Sequence, residues 1–189
     1  MSDWSSPWLL PDGFEDVLPL RADRLESLRR RLLDLYQAQG YRLVMPPMLE
    51  FVDTLLAGRD PDLALQTFRL VDQESGRLLG LRSDMTPQIA RIDARRYQDQ
   101  TPNRLCYADT VLRATADNYG GSRAAFQVGA ELYGVDNAEA DAEIISLMLQ
   151  SVLEAGVRDV LLDLGHVGFF AELMQHSGDA STQESLFAA

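Results

Sequence analysis

The sequence predicts an α+β domain in which a mostly antiparallel sheet is flanked by helices. Three observations carry this expectation. Leucines recur at helical spacing through residues 19–39, and a second apolar stripe runs through 137–155. Residues 67–71 and 78–82 flank Asp72-Gln-Glu-Ser-Gly76 in a hairpin pattern. Residues 124–133 alternate, with Phe126, Val128, Ala130 and Leu132 on one face and Gln127, Gly129, Glu131 and Tyr133 on the other.

In chain order, the first helix is expected over 19–39, with Leu18, Leu25, Leu28, Leu32 and Leu35 inward. Gly40 is its natural stop, because glycine takes the left-handed conformation without steric cost. Arg21, Arg24, Arg29, Arg30 and Arg31 read as a solvated face, interleaved with Glu26 and Asp34, rather than as a nucleic-acid patch. Residues 41–47 read as a strand with Tyr41, Leu43 and Met45 on one face. Pro46 and Pro47 lack the N–H a ladder needs and mark its end or a sheet edge. Residues 58–62 read as loop. Thr86 and Pro87 read as N-cap and N1 of a helix reaching about residue 97.

Pro102 precedes a strand over 105–113, and the small polar run 114–122 reads as loop. The helix over 137–155 carries Ala138, Ala142, Ile145, Leu149 and Val152 on one stripe. Its acidic start (Glu139, Asp141, Glu143) suits the helix dipole, and Gly156 ends it. A strand over 159–164, a helix over 167–175 and a polar linker over 177–185 are expected next. Residues 186–189 read as the opening of another helix, so the chain is expected to be the N-terminal part of something longer.

Composition narrows the chemistry. The 189 residues hold 17 basic and 29 acidic side chains, a formal charge of −12, with 46% apolar residues, enough for one domain with a full core. Every basic residue is Arg; without Lys there is no P-loop and no Schiff base. The single cysteine, Cys106, forbids an internal disulfide and suits a reducing cytoplasm. With His166 and His176 it is too little for a structural zinc site, and neither a metal nor a cofactor is expected. No apolar run approaches the roughly 20 residues of a membrane helix. The negative charge opposes binding to nucleic acid, whose affinity rests on neutralising phosphates.

The strand 124–133 is the informative one. An amide and a carboxylate, Gln127 and Glu131, lie on either side of Gly129, which has no side chain. Such an arrangement makes a floor for a small ligand. A solvent-exposed strand face fits the alternation equally well.

Five blocks, in order, resemble the catalytic core of class II aminoacyl-tRNA synthetases of the histidyl type. Pro11-Asp-Gly-Phe-Glu-Asp-Val-Leu-Pro19 is similar to that family's N-terminal signature, and Gly40-Tyr-Arg-Leu-Val-Met-Pro-Pro-Met-Leu-Glu50 to motif 1, which builds its dimer interface. Leu81-Arg-Ser-Asp-Met-Thr86 resembles its Leu-Arg-Pro-Glu-x-Thr. Leu112-Arg113 and Gln127-Val-Gly-Ala-Glu131 resemble the two strands of motif 2. The resemblance implies a core without an anticodon-binding domain across residues 1–189, with Asp84, Thr86, Arg113, Gln127 and Glu131 at the positions that touch histidine. In those roles Asp84 and Thr86 accept from the α-ammonium, Gln127 bonds the amino group, Glu131 accepts an imidazole N–H and Arg113 pairs with the carboxylate.

The loop between the motif 2 strands departs from the pattern. Thr115 stands where the family has Glu, Gly121 where it has Arg, and Ala125 where an aromatic stacks on adenine; Asp117 adds negative charge. Of the positive groups that phosphate chemistry needs, only Arg113 and Arg123 remain. A chain that keeps the amino-acid positions and loses the nucleotide loop resembles the family's non-catalytic branch, the regulatory subunits of ATP phosphoribosyltransferase, and the run Met85-Thr-Pro-Gln-Ile-Ala-Arg91 fits that branch. This implies a hetero-oligomer with the short-form catalytic phosphoribosyltransferase, free histidine as feedback effector, and self-association through the motif 1 region. A divergent histidyl-tRNA synthetase, or a fragment of one, is the alternative.

Overall fold

The computed structural model describes residues 9–57, 61–97, 101–116, 121–165 and 168. Helix α1 (Pro19–Ala38) starts on a proline at its first turn, where the missing N–H costs nothing, and stops before Gly40, whose φ is +86°. Leu32, Leu33 and Tyr36 are its buried residues, with Leu28 and Leu35 packed beside them. Leu18 sits at the N-cap and is exposed, so the predicted stripe does not reach that far. The arginines behave as a solvated face: Arg30 pairs with Glu26 at 2.8 Å, and Arg31 reaches Glu154 at 3.4 Å.

The chain after α1 builds two small sheets. One holds β1 (Arg42–Leu43), β5 (Asn103–Leu112) and β6 (Ala124–Tyr133) in the order β1-β5-β6; β5 and β6 are antiparallel and β1 runs parallel to β5. The other holds β2 (Leu49–Phe51), β3 (Arg69–Val71) and β4 (Leu78–Leu81) in the order β2-β4-β3, all antiparallel. Only two residues of the strand expected over 41–47 enter the ladder. The prolines follow shortly after its end, and Met45, expected on one face with Tyr41 and Leu43, is 74% exposed whereas Tyr41 is buried. β2 and the single turn α2 (Val52–Leu55) are too short to leave a periodic trace in sequence. α3 (Pro61–Gln66) forms where 61–62 reads as loop, Pro61 being at its first position; residues 58–60 lie outside the described residues.

Helices cover both faces of the β5–β6 pair. Cys106, Ala108, Phe126, Val128 and Ala130 pack against α1 and α5 (Ala138–Glu154). Leu105, Tyr107 and Val111 pack against Met85 and Ile89, which bring α4 (Thr86–Arg96) to the opposite face. Burial pushes the Cys106 thiol up to about 11, so it is an inert core residue.

Two details differ from the helix patterns. The N-cap of α4 is Met85, not Thr86; Asp84 Oδ1 accepts the Thr86 N–H at 3.1 Å, which frees the threonine hydroxyl for other work. In α5 the core residues are Ile144, Leu147 and Ser151; of the predicted stripe, Ile145, Leu149 and Val152 are half-buried and Ala138 and Ala142 are exposed. The helix is apolar on more than one side, and polar anchors set its rotation: Arg104 and Tyr41 both donate to Glu143, and Ser151 donates to the Tyr36 hydroxyl at 3.1 Å. Asn137 caps it by accepting from Ala140 N at 2.9 Å.

Residues 157–189 form a separate unit. Its residues 157–165 hold neither helix nor strand, so the strand expected over 159–164 is not formed. Leu161 is 93% exposed; an apolar run becomes a strand only when a ladder partner pairs with it. The expected helix 167–175 lies outside the described residues apart from Gly168. Among the described residues, no helix is long and apolar enough to cross a membrane.

Candidate ligand site

The site is built around a buried arginine. Arg82, at the end of β4, is 1% exposed. Its Nη1 donates to Pro46 O and its Nε to Thr110 O, each at 2.9 Å, and Nη2 meets Asp109 Oδ2 at 2.7 Å. A guanidinium desolvated this far persists only because its donors are satisfied. Beside it, the buried Ser83 hydroxyl lies 3.4 Å from that of Thr67. These bonds tie the β4–α4 connection to β5 and so fix residues 84–86 above β6.

Four of the five predicted residues meet there. Gln127 Nε2 donates to Asp84 Oδ1 at 2.8 Å, while Gln127 Oε1 accepts the Met85 N–H at 2.9 Å. Thr86 Oγ1 donates to Glu131 Oε1 at 2.9 Å. Thr86 therefore bridges the two carboxylates, by its backbone to Asp84 and by its hydroxyl to Glu131. In each carboxylate the frame occupies one oxygen. Among the described residues no hydrogen bond reaches Asp84 Oδ2 or Glu131 Oε2, and each can accept from a ligand.

The position above Gly129 is not bare. Tyr107 lies directly opposite Gly129 in the ladder. A Cβ on Gly129 would fall 2.5 Å from Tyr107 Cζ and overlap its hydroxyl, so the glycine is there to seat the ring. The hydroxyl lies 3.4 Å from Glu131 Oε1 and 3.4 Å from Thr86 Oγ1. The floor read from the strand pattern is thus a tyrosine ring from the neighbouring strand. Cross-strand register decides this, and register is not visible in either strand alone. The only trace in sequence is that Leu105, Tyr107 and Asp109 share a parity.

Electrostatics suit a cationic ligand group. Burial raises the Glu131 carboxyl above its usual range, and the nearby Asp84 charge adds to this; hydroxyl donation from Thr86 and Tyr107 opposes both and does not cancel them. A positive group at this site relieves the repulsion between two carboxylates. Burial likewise holds the Tyr107 phenol up to about 12, so it stays an O–H donor at neutral pH.

Arg113 stands apart from this cluster. It follows β5 and bridges to Thr67, four ladder positions from the level of Gln127 and eight from that of Glu131. At about 3.3 Å per residue these are roughly 13 and 26 Å along the strand. It shares the strand parity of Tyr107 and Asp109.

Arg123, the other positive group left in the motif 2 region, is committed to structure. Its Nε donates to Arg113 O and its Nη1 to Asp12 O, both at 3.1 Å. Its guanidinium carbon lies 5.0 Å from the ring centre of Phe14 and 4.9 Å from that of Phe68. Gly13, at φ +80°, accepts the Arg123 N–H on its carbonyl oxygen at 2.8 Å, and a Cβ there would meet Arg123 Cδ at 2.6 Å. The Pro11-Asp-Gly-Phe14 block is therefore a clamp on Arg123. Asp117 lies outside the described residues.

Comparison with known proteins gives a consistent result. The family model for histidyl-tRNA synthetase matches residues 13–189. A Methylococcus capsulatus protein named ATP phosphoribosyltransferase regulatory subunit is 56% identical over 177 residues, which cover 94% of this chain and 44% of that protein. A protein of the same name from Thiobacillus denitrificans is 52% identical over 183 residues, covering 96% and 57%. A crystal structure from Bacillus halodurans, described as an ATP phosphoribosyltransferase regulatory subunit/histidyl-tRNA synthetase, superposes with a TM-score of 0.80 at 33% identity, over 96% of this chain and 47% of that one. Apo histidyl-tRNA synthetase of S. aureus, at 22% identity and a TM-score of 0.65 over 79% of this chain and 35% of its own, shares the fold. The chain spans about half the length of the curated relatives it matches. On the extent of that family match and on the class II synthetase-like core shared with these structures, the chain belongs to the histidyl-tRNA synthetase family.

Proposed function

We propose that this chain is the effector-binding core of a non-catalytic regulatory subunit of ATP phosphoribosyltransferase, working in the cytoplasm with the short-form catalytic subunit in the first step of histidine biosynthesis. Free histidine is its effector. The observation that carries this reading is the contrast between the two ends of the β5–β6 pair. At one end Asp84 and Glu131 each present an open carboxylate oxygen, bridged by Thr86 and backed by Gln127. At the other end Arg123, which phosphate handling would need, is held by Asp12, Arg113 and two phenylalanines.

In this reading the ligand's ammonium lies against Asp84 and its imidazole N–H is accepted by Glu131. The carboxylate lies toward Arg113, which follows β5, the strand neighbouring β6. Names of relatives at 52–56% identity support the assignment to a regulatory subunit. The −12 charge and the lack of Lys argue against nucleic acid as partner. The motif 1 region, 40–50, is the proposed surface for self-association. Histidine regulates by binding one arrangement of the hetero-oligomer more tightly than another, with a coupling on the order of 1–3 kcal/mol.

The test is reconstitution. Full-length protein added to a short-form phosphoribosyltransferase should raise its activity, and histidine should lower it again. Glu131→Ala should keep the activation and lose the histidine response. Failure to activate, combined with aminoacyl-adenylate formation seen as pyrophosphate exchange, would support a synthetase instead.

A further inference from the structure

We propose that Tyr107 is a positioning residue for histidine: its ring, seated over Gly129, is the floor of the pocket, and its hydroxyl joins that of Thr86 in holding Glu131 Oε1 so that Oε2 is turned to the ligand's imidazole N–H. This rests on the reading of the site given above.

The geometry has three parts. The ring is 4% exposed and packs among Met85, Ile89, Leu105 and Val111, so its place is set by the core and not by a ligand. Gly129 opposite has no room for a Cβ while the ring is there. The hydroxyl reaches both Thr86 Oγ1 and Glu131 Oε1 at 3.4 Å, so two donors converge on one oxygen of the carboxylate. A carboxylate pinned by one oxygen presents the other in a defined direction, which a flat ring with an N–H at its edge can meet. An unpinned Glu131 rotates and loses that direction.

Among the described residues, the titratable groups around Glu131 are Asp84 before α4, Tyr107 on β5 and Tyr133 two residues along β6, and none of these is cationic. Donation from Tyr107 therefore helps keep Glu131 ionised, alongside donation from Thr86. Removing the hydroxyl favours the protonated carboxyl, which is the poorer acceptor for an imidazole N–H.

The experiment is calorimetry of the full-length protein with histidine, from mildly acidic to mildly basic pH, on wild type, Tyr107→Phe and Gly129→Ala. Tyr107→Phe keeps the ring and should weaken histidine binding about fivefold or more at neutral pH. It should also move the acid limb of the affinity profile to higher pH, which loss of packing alone would not do. Gly129→Ala pushes the ring off its seat with the hydroxyl intact and should weaken binding by a similar factor. If Tyr107→Phe does not fold, Gly129→Ala decides, and unchanged affinity there overturns the proposal. Wild-type affinity and an unmoved acid limb in Tyr107→Phe overturn the role of Tyr107 alone. A wild-type protein that ignores histidine overturns the underlying function, and this role with it.

Discussion

Replacing Arg123 tests whether it is a strut or a phosphate ligand. The side chain makes two charge-assisted hydrogen bonds to backbone carbonyls at 3.1 Å and lies about 5 Å from the centres of two phenylalanine rings. Two such bonds at the low end contribute about 3 kcal/mol, and two partly exposed cation–π contacts add about 1 kcal/mol. The carbonyls of Asp12 and Arg113 regain water when the arginine is removed, which returns up to half of this. Arg123→Ala should therefore cost roughly 2–4 kcal/mol by urea unfolding. The loss should be accompanied by faster amide hydrogen exchange in residues 9–18, the segment that Arg123 clamps. Arg123→Lys keeps the charge but not the two-point fork and should recover little of the loss. Full recovery in Arg123→Lys, or a change in Arg123→Ala below about 0.5 kcal/mol, would refute the strut.

Other expectations follow from the same geometry. Arg104 donates to the Glu143 carboxylate, which also accepts from Tyr41; against the opposing effect of burial, these hold it down to about 2. A carboxyl lowered in the fold stabilises above its ordinary value of 4.5 and loses that contribution as pH falls toward about 2. The pair is about one-third exposed, so Glu143→Gln should cost only about 1–2 kcal/mol near neutrality. Parallel pH-dependent unfolding of wild type and variant should show that difference vanish on acidification. The Tyr133 hydroxyl is buried without a hydrogen-bond partner among the described residues, so Tyr133→Phe should be neutral or stabilise by up to about 1 kcal/mol in thermal melts. A clear loss of stability would show that the hydroxyl has a partner. Glu131 has the opposite sign to Glu143: its carboxyl is raised, first by burial. The unliganded protein should lose stability as pH rises from the ordinary carboxyl range through the raised one. Glu131→Gln should flatten that slope.

Elements with strong local signals are legible in the sequence. β6 forms over 124–133 as its alternation predicts, the β3–β4 hairpin pairs around its turn, and α1 stops where Gly40 allows a positive φ. Features decided by distant partners are not legible. The rotation of α5 is set by Glu143 and Ser151 meeting residues more than a hundred positions away. The run 159–164 has strand-like composition, but composition does not supply a partner. The candidate site divides in the same way. Gln127 and Glu131 follow from one strand's alternation, and Asp84 and Thr86 from a motif. The Tyr107 ring over Gly129 follows only from register, and the clamp on Arg123 only from a contact between chain segments about 110 residues apart.

The most direct measurement is calorimetry of the full-length protein with histidine and, separately, with ATP and magnesium. Histidine should bind with one site per chain, and ATP should give no heat of specific binding. Tight binding of ATP by a protein that does not respond to histidine would contradict the division on which the proposed function rests.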